Sequence, residues 1–190
     1  MPLQTTTYNT DWVFSNTSNV SVAKDKEWFF NYTPFRTKVG HIAFASHNME
    51  AVGVGDVRLE VNTTSSERGI QAYTTLVLRD VLHCPTAMCN IVALSPAEYD
   101  INLRGANDSW VKHQKSGVVY LLDKVTLWKL WLVGQPKGQS SLDPNGLYYI
   151  NARWAPEEQA RFKAYKEELE RLKDGEGVKA GFSGSGEEIE

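Results

Sequence analysis

Residues 11–19, which read DWVFSNTSN, decide how the rest of the chain is interpreted. Trp12, Val13 and Phe14 form a short apolar run of the kind that favours a β-strand, and the polar residues after it are typical of a tight turn. A strand that leads small polar residues into a loop is one way in which β proteins present a catalytic group. This loop contains no acid, base or thiol, so it lacks the side chains that usually transfer protons.

The composition predicts one globular domain with an appendage. The chain has 190 residues, of which 42% are hydrophobic and 23% are charged. Its net charge of −3 is uneven, because residues 155–190 contain six Lys/Arg and ten Asp/Glu and therefore carry −4, which leaves +1 for residues 1–154. Since the sequence has no dense basic face, we expect no nucleic-acid binding by this segment.

The sequence also predicts an intracellular, cytoplasmic or nuclear, protein without a membrane span. It lacks an apolar run of about 18 residues, and its first residues, MPLQTTT, lack the basic and apolar regions of a signal peptide. Cys84 and Cys89 are therefore expected to be buried free thiols rather than a local disulfide. Together with His83 they offer three soft ligands, but no second Cys/His pair at zinc-finger spacing accompanies them, so no metal site is predicted.

Many short apolar runs separated by polar turns predict a small β-barrel or sandwich. Residues 1–10 are expected to form a loose polar arm or an edge strand, and the aromatic-rich residues 28–35 an irregular segment. A turn is predicted at residues 46–48 and a hairpin loop at residues 62–69. The predicted strands are residues 12–14, 20–22, 39–45, 50–61, 70–78, 81–82, 90–94, 100–103, 109–111, 118–122, 125–133 and 147–150.

The pattern changes near residue 154. Pro156 followed by two glutamates is typical of a helix start, since proline suits the first turn and acids suit the positive end of the helix dipole. Apolar residues at helical spacing predict one amphipathic face, formed by Phe162, Tyr165, Leu169 and Leu172. The chain thus divides into a β domain (residues 1–153), an amphipathic helix (residues 154–174, ending near Gly175) and a flexible acidic tail (residues 175–190).

Four motifs in a fixed order resemble the protease region of copia-type LTR retrotransposon polyproteins. Residues 12–18, WVFSNTS, are similar to that family's Trp-x-Leu-Asp-Ser-Gly-Ala run, and residues 52–59 resemble its Gly-x-Gly flap-side strand. Residues 78–85 with residues 90–94 resemble its Val-Leu-x-x-Pro and Asn-Leu-Leu-Ser segment. Residues 146–149 resemble the Gly-Leu-Tyr strand that follows the protease. The resemblance covers about residues 11–153.

The resemblance implies a small, closed, retropepsin-like β-barrel in which two copies each supply one catalytic aspartate. This chain has Ser15 where the family has that aspartate, Thr17 in place of the following glycine, and Ser21 in place of the usual histidine. Two carboxylates that share a proton are what the reaction requires, and a serine hydroxyl cannot replace one as general base. The resemblance therefore implies an inactive protease-like domain with a vestigial loop at Ser15, Asn16, Thr17 and Ser18.

Other residues could in principle restore catalysis. Asp11 would lie about 13 Å from Ser15 along a strand, and Asp80 belongs to a segment in which an acid has a structural place. Ser15 as a nucleophile would need a base nearby. The four histidines are scattered along the sequence, and no Gly-x-Ser-x-Gly elbow is present. No catalytic residue is therefore predicted.

We expect an all-β protein with a C-terminal amphipathic helix that acts by binding, as a decayed or domesticated transposon fragment. Its partner would be an extended peptide, another protein or a second copy of itself as a homodimer. No cofactor is expected, because no helix and no Lys-Ser/Thr follow the Gly-x-Gly pair. Peptide binding by strand addition is predicted at four flap residues, Val52, Gly53, Val54 and Gly55.

Two other functions stay open at this point. One is an enzyme of different chemistry that reuses the barrel, with Ser15 or His83 in a new site. The other is a structural segment of a larger transposon polyprotein, in which the helix and the tail serve as docking or linker elements.

Overall fold

The computed structural model describes residues 9–40, 49–63, 73–105, 109–136 and 138–180, with side chains as far as residue 173. Most of the predicted arm and of the predicted strand at residues 39–45, the turn at residues 46–48, most of the hairpin loop and the end of the tail lie outside the described residues. The chain consists of two units, Met1–Trp154 and Ala155–Glu190.

Within the described residues, the first unit forms a ten-stranded, mostly antiparallel sheet. Its strands lie in the order β3-β4-β5-β2-β6-β1-β10-β9-β8-β7, and the pairs β1/β6 and β2/β5 are parallel. The strands are β1 (Trp12–Phe14), β2 (Val22–Ala23), β3 (Phe29–Val39), β4 (Met49–Asn62), β5 (Tyr73–His83), β6 (Asn90–Val92), β7 (Tyr99–Asn102), β8 (Trp110–His113), β9 (Val119–Lys124) and β10 (Trp128–Leu130).

The prediction of an all-β domain with a C-terminal helix is confirmed as a mostly β fold with one helix, but the predicted closed barrel is not confirmed. The sheet is open in its strand pairing, with β3 at one edge and β7 at the other. Among the described residues, an isolated antiparallel bridge, Val61 to Leu132, joins the end of β4 to the residues that follow β10. Two main-chain hydrogen bonds flank it, from Asn62 N to the Trp131 carbonyl at 2.9 Å and from Val133 N to the Glu60 carbonyl at 2.9 Å.

Alternation along β1 divides the apolar residues between two clusters, because successive side chains of a strand point to opposite faces. Trp12 and Phe14 belong to the main core, to which β4, β5, β9 and β10 also contribute. Val13 points to the other side, into a smaller cluster with Cys89 and Leu142. The short apolar run that opened the sequence is therefore buried on both faces and lies centrally in the sheet.

Residues 28–35 were predicted to be irregular, but most of them belong to the 11-residue strand β3. Its aromatic residues favour the β conformation. Pro34 does not prevent it, because β3 is an edge strand and proline is tolerated where one side of the strand lacks a partner. The register shifts between Pro34 and Thr37, which is the irregularity that the sequence pattern reflects.

The runs predicted as separate strands at residues 70–78 and 81–82 form one strand, β5, with a bulge. Arg79 and Asp80 lie opposite the single residue Asp56 of β4, and Asp80 has a φ of +49°. The Asp56 carboxylate accepts hydrogen bonds from Arg79 Nη1 at 2.7 Å and from Asp80 N at 3.3 Å. Asp80 is therefore part of a bulge that Asp56 stabilises.

Residues 147–150 were predicted as the last strand, yet they pair with no strand of the described chain. Their exposure still alternates as in a strand, with Leu147 and Tyr149 exposed and Tyr148 and Ile150 half-buried. Tyr148 and Ile150 pack on the smaller cluster around Val13. The alternating exposure is present as the sequence indicated, but the predicted strand is not, because these residues pack on the face of the sheet instead of pairing at its edge.

The second unit contains the helix α1 (Pro156–Ala180), which starts as predicted with two glutamates in its first turn. It continues past the predicted end at residue 174, because glycine in a helix costs only about 1 kcal/mol relative to alanine and does not forbid it. Of the predicted apolar face, Phe162 is buried, whereas Tyr165 and Leu172 are exposed. Among the described residues, no helix has the length and apolar character that crossing a membrane requires.

Candidate functional site

One face of β1 and its flanks is covered by a later part of the same chain, residues 139–154, here called the covering segment. Asp11, Val13 and Ser15 alternate with the core residues of β1 and are all buried. Each contacts the covering segment, through a carboxylate at Asp11, an apolar side chain at Val13 and a hydroxyl at Ser15. The family resemblance places its catalytic aspartate on this face, so these contacts define the candidate site.

Ser15 lies in a network of neutral groups. Its hydroxyl donates to the Ile150 carbonyl at 3.1 Å and accepts from Ser18 Oγ at 2.8 Å, and it lies 3.3 Å from Thr17 Oγ1. Its main-chain N–H donates to the Val92 carbonyl at 3.0 Å. No histidine or carboxylate is among its hydrogen-bond partners in the described chain, so no base is placed to activate the hydroxyl.

Ser18 of the predicted vestigial loop and the residue after it, Asn19, also bind the covering segment. Ser18 Oγ accepts from Ala152 N at 2.8 Å. The Asn19 side chain makes two hydrogen bonds with the main chain of Trp154, accepting from its N–H at 2.8 Å and donating to its carbonyl at 3.0 Å. Asn16 and Thr17 are exposed at the tip of the turn. The loop therefore serves as an attachment point for residues 150–154.

At the other end of this face, Asp11 forms a buried ion pair with Lys129 of β10. Lys129 Nζ donates to Asp11 Oδ1 at 3.0 Å, and the two side chains are 7% and 2% exposed. Asp11 Oδ2 accepts from Ser140 Oγ at 3.0 Å, Ser141 N at 2.7 Å and Ser141 Oγ at 2.6 Å. Both carboxylate oxygens are thus occupied by donors from the chain itself.

These donors determine the ionisation of Asp11. Burial acts to raise its pKa, but the hydrogen bonds from Ser141 and Lys129 and the positive charge of Lys129 outweigh burial, so the pKa of Asp11 lies below its ordinary 3.8. A general acid in an aspartic protease needs a carboxyl that holds a proton in the working range. Asp11 is biased toward the opposite, charged state by its structural partners.

The ion pair lies beside an open cavity of about 310 Å³. Its walls come from the start of the candidate face and from the residues after β10, and they are mixed polar and apolar. The lining residues are Thr10, Asp11, Lys129, Gly134, Gln135, Pro136, Gln139, Ser140 and Ser141. Lys129 also donates to the Gln139 carbonyl at the cavity wall, so its ammonium group is engaged from two sides.

The predicted flap residues lie on the strand next to one edge of the sheet. Val52, Gly53, Val54 and Gly55 belong to β4, which pairs with β3 on one side and with β5 on the other. The two glycines allow close approach, because a Cβ at Gly53 would lie 2.1 Å from the Tyr32 hydroxyl and one at Gly55 would lie 1.9 Å from the Asn31 carbonyl oxygen. Strand addition at these residues would first have to displace β3 or β5.

His83 lies opposite Gly53 of the flap residues, and it is not among the hydrogen-bond partners of Ser15. Its Nδ1 is 3.0 Å from the Tyr32 hydroxyl, and the two rings meet edge to face. Burial lowers the pKa of His83 below its ordinary 6.5. The hydroxyl and Nδ1 share one hydrogen bond, in which the tautomer of the imidazole determines which group donates.

Cys84 and Cys89 are buried free thiols, as predicted. Burial raises the pKa of each to about 12, so neither is a thiolate near neutral pH. In the described ranges, no group of three His, Cys, Asp or Glu side chains is arranged to hold a metal ion.

The comparisons with known proteins agree with a polyprotein origin. Residues 12–100 match the family model described as "Pol polyprotein, beta-barrel domain". This match supports a retrotransposon polyprotein region, and it includes β1, the flap residues and the Cys84–Leu94 segment. No curated protein and no solved structure matches the chain at a significant level.

The Asp11–Lys129 pair was missed at the sequence level, although one signal was present. Lys129 interrupts an otherwise apolar run from Leu127 to Leu132, and a charge in a buried strand requires a partner. The partner lies 118 residues earlier in the chain. Local patterns do not identify a partner at such a separation.

Proposed function

We propose that this chain is a non-catalytic domain derived from a copia-type retrotransposon polyprotein and that it acts by binding an extended peptide, a protein or a second copy of itself. The observation that carries the proposal is the environment of Ser15. At the position where the resemblance places the aspartate, the chain has a buried hydroxyl bonded to Ile150 and Ser18. Peptide hydrolysis by this family's chemistry needs a pair of carboxylates there.

The covering segment supports the same conclusion independently of the residue type. An acid at position 15 would face the Ile150 carbonyl, which repels negative charge, and not an open cleft. Substrate would have to displace residues 150–154, which are held by the side chains of Ser18 and Asn19. Restoring the aspartate alone would therefore not restore a working site.

The strands beside the flap residues limit how a peptide could bind there. The flap residues of β4 have a neighbouring strand on each side, so we place peptide binding at them only in combination with movement of β3 or β5. Among the described residues, the alternative of a different enzyme chemistry lacks support from Ser15 and His83, since Ser15 bonds to neutral groups and His83 bonds to Tyr32. A structural role within a longer polyprotein is compatible with the proposed binding role.

Proteolysis assays test the proposal. The full chain is incubated with an unfolded protein substrate between about pH 4 and 6, the range in which a shared-proton carboxylate pair works, with and without a statine-type inhibitor of aspartic proteases. We expect no cleavage by the natural chain and none by Ser15→Asp. Inhibitor-sensitive cleavage by the natural chain that disappears in Ser15→Ala and Asp11→Asn would contradict the proposal, whereas cleavage that all variants share indicates a contaminating protease.

A further inference from the structure

The open cavity beside the Asp11–Lys129 pair has the size of a small-ligand site. Its volume of about 310 Å³ lies at the lower end of the range of about 300–1,000 Å³ that is usual for such sites. Its walls come from the residues before β1, from β10 and the residues after it, and from the start of the covering segment. The cavity includes neither the flap residues nor the vestigial loop, so it is separate from both sites that the sequence predicted.

Several polar side chains at the cavity wall are not used by the fold. The side chains of Thr10, Gln135 and Gln139 make no hydrogen bond within the part of the chain that the structure describes. The main chain of Gln135 is nevertheless held, because its N–H donates to the Leu132 carbonyl and its carbonyl accepts from Trp131 Nε1. An amide side chain offers both donors and an acceptor. The wall therefore presents neutral hydrogen-bonding groups of both kinds.

Lys129 adds one charged donor to this wall. Its ammonium group has three N–H donors, of which one binds Asp11 Oδ1 and another binds the Gln139 carbonyl. Among the described residues, the third has no acceptor, so it is left for water or for a ligand that enters the cavity. A hydrogen bond to a charged donor contributes more than one between neutral groups. A ligand oxygen at this donor would therefore have the strongest single contact in the cavity.

Charge around the cavity favours a neutral ligand. Asp123 of β9 is 3% exposed and lies directly across from Lys129 in the sheet, on the same face as the Asp11 pair. These three groups, two carboxylates and one ammonium, carry a net charge of −1, which disfavours an anion. The ammonium group at the wall disfavours a cation. An amide avoids both penalties, because its polar groups are uncharged and can all be paired.

We propose that this cavity binds a neutral amide group of an extended peptide, with the side chain of glutamine or asparagine as the group that enters it. The inference rests on the proposed binding function and specifies its site and the chemistry of its ligand. The amide oxygen of the ligand accepts from Lys129 Nζ, and its NH₂ group donates to the side-chain oxygen of Gln135 or Gln139. Its methylene groups contact the apolar wall at Pro136.

Three small probes of similar shape test the chemistry of the ligand. They are N-acetylglutamine amide, the anionic N-acetylglutamate amide, and N-acetylnorvaline amide, which lacks the polar end of the side chain. Binding to the full chain is followed by NMR of the backbone amides of Gly134 and Ser141, which line the cavity. We expect saturable shifts with a dissociation constant on the order of 1 mM for the glutamine probe. The other two probes should bind about tenfold more weakly, since each leaves a hydrogen bond unmade or a charge unpaired.

Substitution of the wall residues tests the location. Gln135→Ala and Gln139→Ala should each weaken binding of the glutamine probe about two- to tenfold, because each removes one hydrogen bond to it. Both side chains are without a partner in the described chain, so the fold stays intact, which circular dichroism verifies. Gln114→Ala, at an exposed glutamine in the turn after β8, is the matched control and should leave the affinity unchanged. Lys129 is left in place in these variants, because Asp11 depends on it.

The absence of a saturable shift at about 20 mM glutamine probe overturns the inference. Equal affinity for the norvaline probe also overturns it, as does tighter binding of the glutamate probe, which would assign the cavity to an anion. An affinity that Gln135→Ala and Gln139→Ala both leave unchanged places the probe elsewhere and has the same consequence. None of these results depends on proteolysis, so they leave the proposed non-catalytic function standing. Conversely, inhibitor-sensitive cleavage would end that proposal without changing the affinity for the probe.

Discussion

The two ends of one short strand are attached to the same covering segment by opposite means. At Asp11 the attachment consists of three hydrogen bonds from Ser140 and Ser141 to a carboxylate that also forms a buried ion pair with Lys129 of β10. At Ser15, four residues later, it consists of neutral hydroxyl and carbonyl groups. The carboxylate on this face is therefore used for structure, and the position at which the resemblance places a catalytic acid holds a neutral hydroxyl.

This difference predicts that the two ends depend differently on single substitutions and on pH. A buried charge pair is strongly destabilised when one partner is lost, since the remaining charge stays buried without compensation. A neutral hydrogen bond contributes less, about 0.5–1.5 kcal/mol, and does not titrate. The predictions below test whether the charged and the neutral end separate in this way.

The largest effect is expected from Asp11→Ala, which leaves Lys129 buried without its partner. We expect the free energy of unfolding to fall by about 3–5 kcal/mol, measured by urea denaturation. Lys129→Met alone should be similarly destabilising, and the double variant less so than the sum of the two. If Asp11→Ala does not fold, Asp11→Asn provides the measurement.

The control for this experiment is the exposed ion pair between Arg36 and Glu50, whose side chains are 76% and 59% exposed. Glu50→Ala should change the free energy of unfolding by at most about 1 kcal/mol, because water screens the pair. Equal effects of Glu50→Ala and Asp11→Ala would show that burial does not distinguish the two pairs.

A smaller effect is expected at the neutral end. Asn19→Ala removes both hydrogen bonds between the loop and the Trp154 main chain, and we expect a loss of about 1–2 kcal/mol. Asn16→Ala in the same turn is the matched control, because Asn16 is exposed and should contribute less than about 0.5 kcal/mol. A loss at Asn19 as large as that at Asp11 would contradict the distinction between the two ends.

Local patterns were sufficient for the elements that local forces specify. The run Trp12–Phe14 was correctly predicted as a strand because its residues favour β structure and are buried on both faces. The start of α1 followed from Pro156 and the two glutamates, since capping preferences act within one turn. The strand β4 was predicted despite its two glycines, at which an added Cβ would collide with Tyr32 or Asn31.

Features that depend on distant partners were not predictable in the same way. The burial of Ser15 depends on Ile150, which lies 135 residues later, and the sequence around Ser15 contains no trace of that contact. Residues 147–150 have the alternation of a strand, yet the sequence does not reveal whether they pair at an edge or pack on a face. The family resemblance identified the loop, and only the tertiary structure revealed what occupies the face beside it.

The charged end should also respond to acid. The pKa of Asp11 is lower in the folded chain than its ordinary 3.8. As the pH falls below about 3.8, the unfolded chain therefore binds more protons than the folded chain, and the free energy of unfolding decreases. We expect the free energy of unfolding to decrease between about pH 4 and 2, and this decrease to be less steep in Asp11→Asn. Identical slopes for the two proteins would mean that Asp11 is not the group that couples acid to unfolding.

The smallest effect is expected at the pair of Tyr32 and His83, which is neutral like the Ser15 end and titratable like the Asp11 end. Burial lowers the pKa of His83 below its ordinary 6.5, so the unfolded chain binds the extra proton first as the pH falls through that value. Stability should therefore decrease slightly on acidification from about pH 7 to 5.5, and His83→Gln should remove this decrease, whereas the control His113→Gln should keep it. If stability decreases only between about pH 4 and 2, the charged pair of Asp11 is the group that couples pH to unfolding, and the prediction for His83 is wrong. If stability also decreases between about pH 7 and 5.5, burial of the neutral His83 is sufficient for such coupling.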